Sequence, residues 1–156
     1  MTFRNYLLAQ ALGITAFNVA INSAYTSFLW HNEPLLMLGD IRADLVMTPI
    51  WIGLLSVLLG TFFIRKAFAD GTMLRDAGIR PHPILRQLPR GILTRSVVVA
   101  VLCALTFAAP LSFLLPLIGD GILTPASAVG TKAIVTAIFS LLIVPLIVYA
   151  TTADAA

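Results

Sequence analysis

Thr15, Asn18, Asn22 and Tyr25 follow one another at alternating steps of three and four inside a long apolar run. At about 100° per residue these four side chains share one side of a helix. Amides and hydroxyls in such a setting do one of two things. They hydrogen-bond to neighbouring helices, for which Ser56, Thr106 and Thr136 are the candidate partners, or they line a hydrated path for a solute. An unpaired amide facing hydrocarbon is costly, and helix–helix hydrogen bonds in lipid recover about 0.6–2 kcal/mol each. Either way, this face must be covered. A second set is acidic: Glu33, Asp40, Asp44 and Asp120 lie between apolar runs, and Asp40 and Asp120 each follow a glycine. Such residues cap the next helix or contact an external cation or substrate.

Other chemistries lack their parts. No Asp, Glu, Lys, Arg or His stands near the middle of any apolar run, which argues against a proton relay or ion-coupled pump. The only histidines, His31 and His82, lie on opposite sides of the topology derived below, so they do not build a haem or zinc site. Cys103 is single and stands within an apolar run, where it reads as a small core residue. There is no phosphate loop, redox cysteine pair or Ser-His-Asp set. No catalytic, cofactor-binding or metal-binding residue is assigned, and a non-enzymatic role without cofactors is expected.

The elements that position these residues are four apolar runs at 6–30, 45–64, 97–118 and 133–150. About twenty helical residues span a hydrocarbon core of about 30 Å. Hydrophobic residues make up 59% of the chain and charged residues 11%, against about 25% charged in an ordinary soluble protein. The expected fold is all-α: a transmembrane four-helix bundle filling residues 1–156 as one domain, with the bilayer as its main partner. The first run continues past the length of a signal-peptide core, so an uncleaved first helix is expected.

Charge sets the expected orientation. Arg4, Arg65, Lys66, Arg75, Arg80, Arg86, Arg90 and Arg95 fall on one side, and only Arg42 and Lys132 on the other. The positive-inside rule then places both termini and the basic loop 65–96 in the cytoplasm. Trp30 and Trp51 fall near the outer headgroups. Within the basic loop, Ile84, Leu85 and Leu88 alternate with Arg86 and Arg90, a pattern that suits apolar contact below and anionic lipid headgroups above. These cations flank apolar spans, so nucleic acid is not the expected partner.

Packing faces are also visible. Ala9, Gly13, Ala16, Ala20, Ser23 and Ser27 form a small-residue stripe opposite the polar stripe of the first helix, and such stripes let helices approach closely in lipid. Contact is therefore expected on both sides of that helix, by its own bundle and by a second copy or a larger membrane complex. Gly53, Ser56 and Gly60, Ala100, Ala104 and Ala108, and Ala133, Ala137 and Ser140 supply smaller surfaces on the other helices. Pro49 falls near the start of its helix, while Pro110 and Pro145 lie deeper and should bend theirs. Leu35–Asp40 and Leu114–Asp120 resemble each other, each ending in Gly–Asp, which suggests two parallel hairpin repeats.

Asn18–Val19–Ala20–Ile21–Asn22 before Phe28–Leu29–Trp30, then Gly39–Asp40, Pro49, Arg65–Lys66 with Gly71, and Leu88–Pro89–Arg90–Gly91, together resemble a group of small bacterial membrane proteins. That resemblance implies four helices in the inner membrane and a "permease" label without an established substrate. Two functions follow as expectations: permease-like passage of a small solute, or a non-catalytic accessory subunit of a larger membrane complex.

Overall fold

The computed structural model describes residues 3–71, 83, 87–118 and 121–155. Helix α1 runs over Phe3–Trp30 and helix α2 over Leu38–Ala69, with the two-residue strand β1, Leu36–Met37, between them. The third span, Ile92–Leu117, is composite. It comprises α3 (Ile92–Cys103), a π-helical turn (Ala104–Ala108), α4 (Ala109–Leu114) and a closing 3-10 turn. Strand β2, Ile122–Leu123, precedes α5, Pro125–Ala155. Four helical spans are long and apolar enough to cross a membrane.

Several helix boundaries have a local cause. Asp40 accepts the Met37 N–H at 2.8 Å, placing a carboxylate on the positive end of α2. Gly71 ends α2 at φ 67°, a left-handed conformation that glycine adopts without steric cost. Thr124 caps α5 by accepting the Ser127 N–H at 3.2 Å, with Pro125 at the first helical position, where its missing donor costs nothing. In the third span Pro110 cannot donate to the Thr106 carbonyl, and the ladder widens just before it: the Ala109 N–H reaches back to Ala104.

The spans are longer than the apolar runs because their charged ends are helical too. Arg42, Asp44, Arg65, Lys66, Arg95 and Lys132 all lie within helices. This corrects the placement of Asp40 and Asp44 in an external loop, since both stand on α2. It also moves Pro49 from near the helix start into the interior of α2, where it is buried. Helix α5 continues unbroken through Pro145.

In space the spans are ordered α1, α5, α2, third span. Helix α1 packs along α5 rather than along its sequence neighbour α2, and the third span packs along α2 rather than α5. Each hairpin therefore lends its first helix to the other hairpin's second. At one end of the bundle β1 and β2 pair antiparallel, Leu36 opposite Leu123 and Met37 opposite Ile122. We call this the ribbon end, and the opposite end, which carries Arg65, Lys66, Arg90 and Arg95, the basic end. Gly39 and Asp40 follow β1 inside α2, whereas positions 119 and 120 precede β2. The two Gly–Asp motifs are thus offset relative to the ribbon, and Asp120 lies outside the described residues.

Polarity is distributed inside out. The buried set includes Thr15, Asn18, Thr26, Thr48, Ser56, Thr61, Ser96, Thr136, Ser140 and Thr151, while Phe28, Leu93, Phe113 and Leu117 stand at least 74% exposed. In water that arrangement would be strongly unfavourable, because the apolar surface left in solvent is large. In lipid it is the natural one, since apolar side chains gain little by turning inward and hydroxyls gain partners. The chain is a multi-pass membrane protein.

Candidate functional site

Three polar contacts cross the bundle at three depths. At mid-depth the Asn18 amide nitrogen donates to Ser56 Oγ at 2.9 Å and to Ser140 Oγ at 3.0 Å. One side chain thereby ties α1, α2 and α5 together near the middle of all three helices. Asn22 donates back to the Asn18 carbonyl at 2.9 Å. The expected partner Ser56 is found. Thr106 and Thr136 are not partners: Thr106 is exposed and donates to the Leu102 carbonyl at 2.7 Å, and Thr136 is buried one helical turn away from Ser140, with no partner for its hydroxyl among the described residues.

Nearer the ribbon end, Lys132 Nζ lies 2.6 Å from Asp44 Oδ1 and 3.0 Å from the Asp44 carbonyl oxygen. The lysine side chain is 3% exposed and the carboxylate 19%, so this is a largely desolvated pair joining α5 to α2. Toward the basic end, Arg95 is buried, donating from Nε to the Pro89 carbonyl at 2.8 Å and from Nη1 to Thr151 Oγ1 at 3.1 Å. Thr61 and Thr151 hydroxyls meet at 3.4 Å beside it.

Two cavities flank the mid-depth contact. The first, about 520 Å³, opens between the ribbon halves of α1 and α2 and is lined by Asn22, Tyr25, Trp30, Asp40, Asp44 and Trp51 among apolar neighbours. The second, about 590 Å³, lies between the third span and α5 toward the basic end. Its walls are apolar apart from Gln87, Arg95 and Thr106, and Thr106 and Phe107 belong to the π-helical turn. Phe107 and Phe139, with ring centroids 5.0 Å apart, bridge the two helices that form it.

The residues singled out from the sequence thus separate into two groups. Asn22, Tyr25, Asp40 and Asp44, assigned to two unrelated features, converge on one cavity. Thr15 and Asn18 are buried outside that cavity, and the Thr15 hydroxyl has no partner among the described residues. Tyr25 leaves the buried line because that line runs through Ala11, Thr15, Asn18 and Thr26, which drifts around the helix relative to a strict three–four pattern. Glu33 is exposed beyond the end of α1. Arg90 is exposed at the basic end, its carbonyl accepting Arg65 Nη2 at 2.6 Å, while Arg86 lies outside the described residues.

Sequence reasoning missed Lys132, Arg95 and Ser140 as partners, and missed that both tryptophans border one cavity. The signal available was the position of Lys132 and Arg95 one to two turns inside capped helices. Most of the small-residue stripe of α1 is uncovered among the described residues: Ala9, Gly13, Ala16 and Ala20 are exposed and Ser23 is half-buried, and a Cβ added at Gly13 would meet nothing within 4 Å. Gly53 behaves oppositely, since a Cβ there would lie 2.9 Å from Cys103 Sγ. Among the described residues no group of His, Cys, Asp and Glu is placed to hold a metal ion. Comparisons of the chain with family models, with curated proteins and with solved structures return no match.

Proposed function

We propose that this protein is a permease-like carrier of the bacterial inner membrane, with the basic end in the cytoplasm, passing a small solute without chemical change. The observation that carries this reading is a cavity toward each end, one between α1 and α2 and the other between the third span and α5, with the Asn18–Ser56–Ser140 contact at a depth between them. A carrier needs a site reached from each side and a barrier between them that can be rearranged. Two hydrogen bonds between neutral groups form such a barrier, because each contributes only about 1 kcal/mol net and can be exchanged for a solute or water. The π-helical turn lines the basic-end cavity, and such turns are frequent at functional sites in helices.

The test is uptake by proteoliposomes of labelled cationic, neutral and anionic solutes. Flux above protein-free vesicles is expected for one class, with Asn18→Leu reducing it at least tenfold while the protein stays folded. Absence of flux for all three classes would sink the carrier reading.

A second reading is favoured by a separate observation, the exposed small-residue face of α1. Under it the protein is a non-catalytic subunit that assembles, with copies of itself or with a larger membrane complex, through that face. A native mass of the detergent-solubilised particle equal to one chain would exclude it.

A further inference from the structure

We propose that the ribbon-end cavity is a binding site for a monovalent organic cation with an apolar body. The inference deepens the carrier reading and rests on it for passage, though not for binding. The six polar and aromatic residues of the cavity are Asn22, Tyr25 and Trp30 from α1, and Asp40, Asp44 and Trp51 from α2. Among its lining residues there are two carboxylates and no lysine, arginine or histidine. Lys132, from behind on α5, balances Asp44 at 2.6 Å, which leaves one negative charge on the cavity wall, at Asp40. Asp40 uses one oxygen, Oδ2, to accept the Met37 N–H. A carboxylate has further lone pairs for a cation.

Tyrosine and tryptophan rings attract a cation through their faces, more strongly once water is removed. Anions would meet two carboxylates and no cationic side chain among the lining residues, with only the neutral donors of Asn22, Tyr25 and the indoles to offer, and neutral solutes gain less from the ring quadrupoles than a cation does. The remaining wall, including Ile21, Leu29, Met47 and Leu55, is apolar and suits a hydrocarbon body. An aromatic belt alone would scatter such rings around the bundle. Here both tryptophans of the chain border the same cavity.

That last fact supplies the reporter, since all tryptophan fluorescence of the protein arises at this site. The full chain in a neutral maltoside detergent is titrated with tetraphenylphosphonium and, separately, with tetraphenylborate, ions of similar shape and opposite charge. Saturable change with the cation and none with the anion is expected. Asp40→Asn keeps an oxygen for the Met37 N–H and should weaken cation binding at least tenfold with an unchanged melting temperature. If Asp40→Asn does not fold, Tyr25→Leu, at an exposed position, carries the same test and should weaken binding at least threefold. Equal responses to both ions, or unchanged affinity in the folded variant, would overturn the proposal.

A cationic group could come from a free solute or from a lipid headgroup, and nanodiscs separate the two. An affinity for tetraphenylphosphonium that falls on replacing phosphatidylglycerol by phosphatidylethanolamine, beyond the change in protein-free nanodiscs, identifies the headgroup ammonium as occupant. An unchanged site-specific affinity identifies a free cation. Saturable binding without uptake in proteoliposomes would end the carrier reading and leave the site standing. Uptake of a neutral or anionic solute without cation binding would do the reverse.

Discussion

The two cavities occupy related places, one between α1 and α2 and the other between the third span and α5, yet their chemistry differs. The ribbon-end cavity has two tryptophans, a tyrosine and two carboxylates. The basic-end cavity is walled mostly by apolar side chains, with the π-helical turn and the buried Arg95 in its wall. The two sit toward opposite ends of the bundle, and the side chains found there set what each can recognise. One end is built to discriminate by charge. The other holds its own cation inward, on a carbonyl and a hydroxyl.

The largest test of this contrast is the ion pair that braces the discriminating end. Lys132→Met leaves Asp44 partly buried beside an apolar chain, and Asp44→Asn strands a lysine that is 3% exposed. Removing one partner of a buried pair costs about 3–5 kcal/mol, so either variant should melt far below the parent in detergent. The double variant should recover most of that loss. Equal melting temperatures for single and double variants would show that the pair does not brace the bundle.

Next in size comes Gly53. A methyl group there meets Cys103 Sγ at 2.9 Å, forcing α2 and α3 apart beside the basic-end cavity, and overpacking of this kind costs about 1–3 kcal/mol. Combining Gly53→Ala with Cys103→Ala should restore thermal stability. Gly13→Ala is the matched control: with open space around it, it should leave the monomer as stable or raise stability by up to about 1 kcal/mol. Any loss of a higher-order particle in that variant would point to the α1 stripe as an assembly face.

Asn18→Leu should cost about 1–3 kcal/mol, because two buried serine hydroxyls lose their donor. The smallest effect is expected from Thr106→Val at the π-helical turn. Its hydroxyl only back-bonds to Leu102, so stability should shift by less than about 0.5 kcal/mol, as for an ordinary exposed position. A larger loss would show that the turn depends on that bond.

Four spans were legible as four apolar runs, since hydropathy alone separates them. Their ends were not. Arg42, Asp44, Lys132 and Arg95 interrupt hydropathy, whereas pairing and backbone acceptors let these residues continue the helices. Asn18 as a cross-bundle contact was legible from its type and its position within an apolar run, as was Ser56. Ser140 in place of Thr136 was not, because both lie on one face of α5 a turn apart and only the vertical register between helices chooses. The pairing of α1 with α5 was hidden for a different reason. Sequence neighbours usually pack together, and only the helix contacts of the folded chain, α1 on α5 and the third span on α2, reveal that the hairpins interleave.

Interleaving also bears on how the chain is made. Synthesis delivers α1 to the membrane first and its packing partner α5 last, so the Asn18 amide enters lipid long before Ser140 exists to receive it. During that interval Ser56 on α2 can take one amide N–H, while the other waits for α5 at a depth where lipid solvates it poorly. A ribosome halted before residue 125 would leave three spans without the fourth. Such a truncated chain keeps the α2 half of the Asn18 contact and lacks the helix along which α1 packs.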